Sequence, residues 1–117
     1  MTAVLNAAQG NLEGWSVVNT KKSYYTIVGI QFLGVPAIDL PSFPLRDYFE
    51  QAADWIENIL KGGGIVLVHC VKGISRSASL IIAFLIIKKK MTLQQAILTM
   101  KKKRSIAPNE GFMQQII

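Results

Sequence analysis

The residues best suited to chemistry lie in one segment, His69–Ser77, which reads HCVKGISRS. Cys70 is the only cysteine of the chain, and it follows a continuous apolar, β-branched run over Ile65–His69 that is typical of a buried strand. A helix is predicted to begin near Arg76. The loop between strand and helix therefore lies at a helix N-terminus, where free backbone amides and the helix dipole favour an anion.

Each residue type in this segment suits the binding and attack of a phosphoryl group. The planar guanidinium of Arg76 matches two oxygens of a phosphate, and Gly73 lets the loop curl so that its N–H groups point inward. The same positive surroundings favour a nucleophilic thiolate at Cys70. Ser77 can donate a hydrogen bond to the sulfur, and His69 is expected to orient the loop rather than act as a base. The residues expected to hold the phosphate are Val71, Lys72, Gly73, Ile74, Ser75 and Arg76.

Two other interpretations of the segment are less consistent with its residues. A lone cysteine is most often a small buried hydrophobe, but such a role does not require the glycine and arginine that follow Cys70. A nucleotide-binding P-loop is excluded because Gly-Lys-Ser/Thr does not occur at the helix entry. The segment thus predicts an anion-binding loop with the Cys70 thiolate at its base.

The elements around this segment predict an α/β fold, with a mostly parallel central sheet flanked by helices. Strands are predicted over 3–5, 15–18, 30–35 and 65–69, and helices over 45–61, 76–89, 92–104 and 111–117. Thr92 and Gln95 have the spacing of a capping box. We expect the apolar strand 65–69 to be central, with Leu80–Ile87 packed against it. The ligand crevice then lies beyond the carboxyl ends of the strands, next to Cys70.

Composition limits the alternatives. The 117 residues fit one domain, 1–117, and their 50% hydrophobic content argues against disorder. With one cysteine and one histidine, we expect no disulfide, no metal and no cofactor, and a cytoplasmic or nuclear setting. The longest apolar run, LIIAFLII, is far shorter than the ~20 residues of a membrane span. The net charge of +6 includes two lysine-rich clusters at predicted helix C-termini, where cations offset the dipole. Recruitment to an acidic partner or an anionic membrane surface is the alternative role of these clusters. No nucleic-acid partner is expected, because no aromatic side chains accompany the clusters to stack on bases.

The segment His69–Ser77 also resembles the signature of cysteine-dependent protein phosphatases, which is His-Cys, five residues, then Arg-Ser/Thr. More narrowly, the chain resembles small atypical dual-specificity phosphatases over most of its length. The similar stretches are VLNAA, GIQFLGVPAID, YFEQAADWIE, HCVKGISRS and APNEGFMQQ. The resemblance implies hydrolysis of phosphotyrosine and phosphoserine or phosphothreonine in proteins through a cysteinyl-phosphate.

The resemblance also implies two supporting residues. Asp39 matches the general acid, and it is independently a lone carboxylate after a strand end in a proline-punctuated loop, although an ordinary turn residue is the alternative. Asn109 matches a position that braces the phosphate loop, with a plain turn asparagine as the alternative.

Three further expectations concern the family pattern. Phosphoinositides are the alternative substrate. They rank below phosphoproteins because the loop has one basic residue, Lys72, whereas phosphoinositide phosphatases of this superfamily usually have more than one there. Relatives begin with an extra helix and strand before VLNAA, so an N-terminally truncated chain is expected, with a sheet edge open to association and an unknown oligomeric state. A weakly active phosphate-binding or scaffold module is the second functional class.

Overall fold

The computed structural model describes residues 2–9, 28–70, 75–102, 106 and 108–116. Its three strands are β1 (Ala3–Asn6), β2 (Gln31–Gly34) and β3 (Val66–His69). Its α-helices are α1 (Phe49–Lys61), α2 (Arg76–Lys89), α3 (Leu93–Lys101) and α4 (Glu110–Ile116), and a 3-10 helix over Leu45–Tyr48 precedes α1. These bounds agree closely with the predicted elements over the described residues, which do not include 103, 104 and 117 at the ends of two predicted helices. The predicted strand over 15–18 lies outside the described residues.

The three strands form a parallel sheet in the order β2-β1-β3. The central strand is β1, all of whose residues are buried, so the expectation that 65–69 is central is wrong for the described sheet. Val66 and Val68 pack against the main core, whereas Leu67, on the opposite face, is 47% exposed. The apolar residues of β3 therefore lie on one covered face and one more open face. Apolar content alone does not distinguish such a strand from a central strand.

The carboxyl ends of all three strands meet at one edge of the sheet because the strands run parallel. Asn6 of β1 is in register with His69 of β3 and with Gly34 of β2. Backbone bonds continue past the strand ends: Ala7 donates to the His69 carbonyl at 2.7 Å, and Val35 donates to the Asn6 carbonyl at 2.8 Å. This edge is where Cys70 leaves β3, as expected.

Helices α1 and α2 pack on one another and both contact β3. The apolar residues of α1 recur at helical spacing, and those that are buried are Phe49, Ala52, Ala53, Ile56 and Ile59. Gly63, with a φ of +80°, turns the chain after α1 in a conformation that glycine adopts without strain. Leu80 and Phe84 of α2 lie in the core against which Val66 and Val68 of β3 pack, and α2 contacts β3, so the expected packing of this helix is confirmed.

The remaining helices complete the core around α2. The predicted capping box of α3 is present: Gln95 N donates to Thr92 Oγ1 at 3.1 Å, and Thr92 N donates to Gln95 Oε1 at 2.9 Å. Phe112 of α4 is fully buried in the main core, which anchors this short helix. Within the described ranges, no helix combines the length and the apolar character that crossing a membrane requires.

Candidate active site

Cys70 and Ser77 lie side by side where β3 ends and α2 begins. Cys70 follows the last residue of β3, and Ser77 is the second residue of α2. Their Sγ and Oγ atoms are 3.2 Å apart, which is hydrogen-bonding distance for sulfur, and Ser77 is buried. The hydroxyl is therefore placed to donate to a thiolate. The loop residues Val71, Lys72, Gly73 and Ile74 lie outside the described residues, so their expected phosphate contacts stay predictions.

Arg76 is the first residue of α2 and is only 2% exposed. Its Nη1 donates to the Ala37 carbonyl at 3.0 Å, while its Nε is buried with no hydrogen-bond partner among the described residues. A buried unpaired donor is unfavourable by about 1–3 kcal/mol. An oxyanion at the start of α2 would satisfy this donor, and Ala37 fixes the orientation of the guanidinium.

Asp39 is held by two donors on the same carboxylate oxygen. Ser75 Oγ donates to Asp39 Oδ1 at 2.8 Å, and Asn109 Nδ2 donates to the same atom at 2.9 Å. Within the part of the chain that the structure describes, both bonds end on Oδ1, which leaves Oδ2 for a reacting group. Because Ser75 immediately precedes Arg76, these bonds join the loop of the expected acid to the start of α2.

Asn109 connects three parts of the site. Its backbone N–H donates to Ser75 Oγ at 3.0 Å, and its Oδ1 accepts from the Phe112 N–H at 2.9 Å. The second bond satisfies a free amide at the start of α4, as an N-cap does. Asn109 thus contacts both Ser75 and Asp39, a larger role than the bracing position implied by the family resemblance.

His69 is the last residue of β3 and is partly buried. Burial lowers its pKa below the ordinary value, and a hydrogen bond with the Cys70 backbone partly opposes this effect. The neutral imidazole is therefore favoured near pH 7. A neutral ring bonded to the backbone of Cys70 is consistent with the predicted orienting role.

The sequence did not reveal two of the polar contacts in this region. Ala37 acts through its backbone carbonyl, for which no side-chain signal exists. Ser79 Oγ donates to the Ser75 carbonyl at 2.6 Å, and the only hint in the sequence is its spacing of four residues from Ser75, typical of serine bonding back within a helix. The Ala37 carbonyl holds the Arg76 guanidinium, and the Ser79 hydroxyl holds the backbone just before the start of α2.

A family model for the dual specificity phosphatase catalytic domain matches residues 1–117. The chain belongs to this family. The assignment confirms the family that the sequence resembles.

Individual relatives support the same assignment. The chain is 42% identical to dual specificity protein phosphatase 26 of Bos taurus over 118 residues, which cover 100% of this chain and 53% of that protein. The chain thus spans about half the length of this curated relative.

Solved structures confirm the α/β fold. The crystal structure of human DUSP28 is 27% identical with a TM-score of 0.81, covering 98% of this chain and 71% of that one. A mouse putative dual specificity phosphatase, crystallised with zinc tungstate, is also 27% identical with a TM-score of 0.81, covering 99% of this chain and 67% of that one.

Proposed function

We propose that the chain is a cysteine-dependent phosphatase that hydrolyses phosphotyrosine and phosphoserine or phosphothreonine in proteins. The observation that carries this proposal is the contact of Cys70 Sγ with Ser77 Oγ at 3.2 Å, next to a buried Arg76 whose Nε has no partner within the described ranges. A nucleophile beside an unsatisfied cationic donor suits a tetrahedral dianion. Membership of the dual specificity phosphatase family supports the same activity.

In the first step, a lone pair of the Cys70 thiolate forms an S–P bond with the phosphoryl group. The bond from phosphorus to the substrate oxygen breaks, and Asp39 gives its proton to that oxygen. Arg76 and the loop amides hold the equatorial oxygens as charge moves onto them. The products are the free alcohol or phenol, an ionised Asp39 and a cysteinyl-phosphate.

In the second step, water attacks the phosphorus of the cysteinyl-phosphate while Asp39 takes a proton from it. The S–P bond breaks, inorganic phosphate leaves and the thiolate forms again. Ser77 stabilises the departing sulfur through the 3.2 Å contact, which makes it a better leaving group. The Ser75 and Asn109 bonds to Oδ1 keep the same carboxylate in place for both steps.

The binding of an oxyanion has support from a relative. The mouse phosphatase was crystallised with tungstate, a tetrahedral oxyanion that resembles phosphate in shape and charge. We expect tungstate and vanadate to occupy the site formed by Arg76 and the loop of this chain and to inhibit hydrolysis competitively.

The test compares wild type with Cys70→Ser on three substrates: a phosphotyrosine peptide, a phosphothreonine peptide and a short-chain phosphoinositide. We expect wild type to release phosphate from both peptides in a vanadate-sensitive reaction, and Cys70→Ser to release none above background. Equal rates for the two proteins would overturn the proposal. Faster release from the lipid would favour a phosphoinositide phosphatase, and tungstate binding without hydrolysis would favour the phosphate-binding module.

A further inference from the structure

Helix α4 and its N-cap residue Asn109 contact the segment that carries Asp39 at three separate places. We call residues 36–46 the acid segment. Asn109 Nδ2 donates to Asp39, as described above. Gly111 lies so close to Pro41 that a Cβ atom at Gly111 would overlap the Pro41 carbonyl. Gln115 reaches the far end of the segment. Nearly the whole acid segment is thus fixed against one helix that is about 70 residues away in the sequence.

Gln115 bonds to the acid segment with both ends of its side-chain amide. Its Nε2 donates to the Phe43 carbonyl at 2.8 Å, and its Oε1 accepts from the Arg46 N–H at 2.7 Å. The two backbone groups lie on either side of Pro44, which has no N–H of its own to donate. One side chain therefore supplies the partners that a neighbouring strand would supply in a sheet.

The contact at Gln115 can be transmitted to Asp39 because the intervening backbone is tightly turned. The Phe43 N–H donates to the Leu40 carbonyl at 3.0 Å, and the Leu40 N–H donates to the Ile38 carbonyl at 2.8 Å. A shift of Phe43 therefore displaces the backbone next to Asp39. Helix α4 itself is anchored, since Phe112 is fully buried.

We infer that Gln115 is a positioning residue for the general acid: it holds the acid segment against α4 so that Asp39 faces the leaving oxygen. This inference rests on the proposed function. Its role is distinct from that of Asn109, because Gln115 does not contact the carboxylate and acts only through the backbone of the segment. Among the described residues, its side-chain hydrogen bonds go to Phe43 and Arg46 and not to Arg76 or Cys70.

The test compares Gln115→Ala with the matched control Gln114→Ala. Gln114 is the preceding residue of α4, is exposed, and makes no side-chain hydrogen bond within the described residues. The first measurement is amide hydrogen exchange of the acid segment, followed by mass spectrometry of its peptides. Exchange should become faster in Gln115→Ala, which removes the acceptor of the Arg46 N–H, and should not change in Gln114→Ala.

The second measurement is the ratio of kcat/KM for phenyl phosphate to that for p-nitrophenyl phosphate. The poor leaving group needs the proton of Asp39, so this ratio should fall about tenfold in Gln115→Ala, since small misplacements of a catalytic group have large effects. Inhibition by vanadate should not change. Gln115→Glu keeps the acceptor for Arg46 and loses the donor to Phe43, so its kcat/KM ratio should lie between those of wild type and Gln115→Ala. This variant replaces Gln115→Ala if the alanine variant does not fold.

Two results would overturn the inference. Unchanged exchange of the acid segment would do so whether or not the protein is active. Equal losses on both esters together with weaker vanadate inhibition would indicate a general structural role. An inactive wild type would instead contradict the proposed function, and the exchange measurement would still decide whether Gln115 holds the segment.

Discussion

Replacement of Asp39 by asparagine isolates the proton-transfer step. The structure indicates that this change is nearly silent for folding: Asp39 is exposed, and the asparagine keeps an oxygen that can accept the bonds from Ser75 and Asn109, now 2.8 and 2.9 Å long. Only the proton is lost. A positioned general acid is worth roughly 10²–10⁴ in rate, or about 2.7–5.4 kcal/mol of the activation barrier.

The expected result is a loss of this size in kcat for phosphoserine peptides and phenyl phosphate, whose leaving groups need protonation. For p-nitrophenyl phosphate, whose leaving group is stable as an anion, the loss should be less than about tenfold. Steady-state kinetics with both ester classes measure the difference, and thermal unfolding serves as the control for folding. An equal loss on both classes would refute the assignment of Asp39 as the acid, as would no loss on either.

Three further changes test the surroundings of the site. Ser77→Ala should slow breakdown of the cysteinyl-phosphate by roughly ten- to hundredfold, because a hydrogen bond to a charged group is worth about 1.5–3 kcal/mol. Pre-steady-state kinetics should then show a burst of the released alcohol or phenol. Turnover limited by formation of the cysteinyl-phosphate would contradict this prediction. Asn109→Ala should lower the free energy of unfolding by about 1 kcal/mol through loss of the N-cap of α4, whereas Asn109→Ser should retain most of it; equal urea midpoints would argue against capping. Burial lowers the pKa of His69 below 6.5 in the folded chain, so the unfolded chain binds more protons under acid conditions. The free energy of unfolding should therefore fall as the pH drops below about 6.5. If urea titrations of a His69→Gln variant show the same pH dependence as wild type, His69 is not its cause.

Local sequence signals were sufficient for the helices. The capping pair Thr92 and Gln95 fixed the start of α3, and the glycines after Lys61 fixed the end of α1, because these signals depend on bonds between residues close in the chain. The strand order depends on contacts between distant segments. The apolar run of β3 was therefore mistaken for a central strand, although β1 holds that place among the three strands in the described ranges.

The same distinction applies to the site. Cys70, Arg76 and Ser77 could be predicted together because one loop and one helix start contain them. Asp39 required the family resemblance in addition to its place in a proline-rich loop. The role of Gln115 could not be predicted, since it depends on bonds to residues 43 and 46 that only the folded chain brings near α4.

The central claim is that phosphate passes through a covalent bond to Cys70. Rapid acid quenching of the protein during turnover of a phosphotyrosine peptide, followed by mass spectrometry of the fragment that contains Cys70, tests it directly. We predict phosphate on the Cys70 sulfur within one turnover, a larger amount in Ser77→Ala, and none in Cys70→Ser. Rapid turnover by wild type and Ser77→Ala with no phosphate on this sulfur at any time would contradict the account.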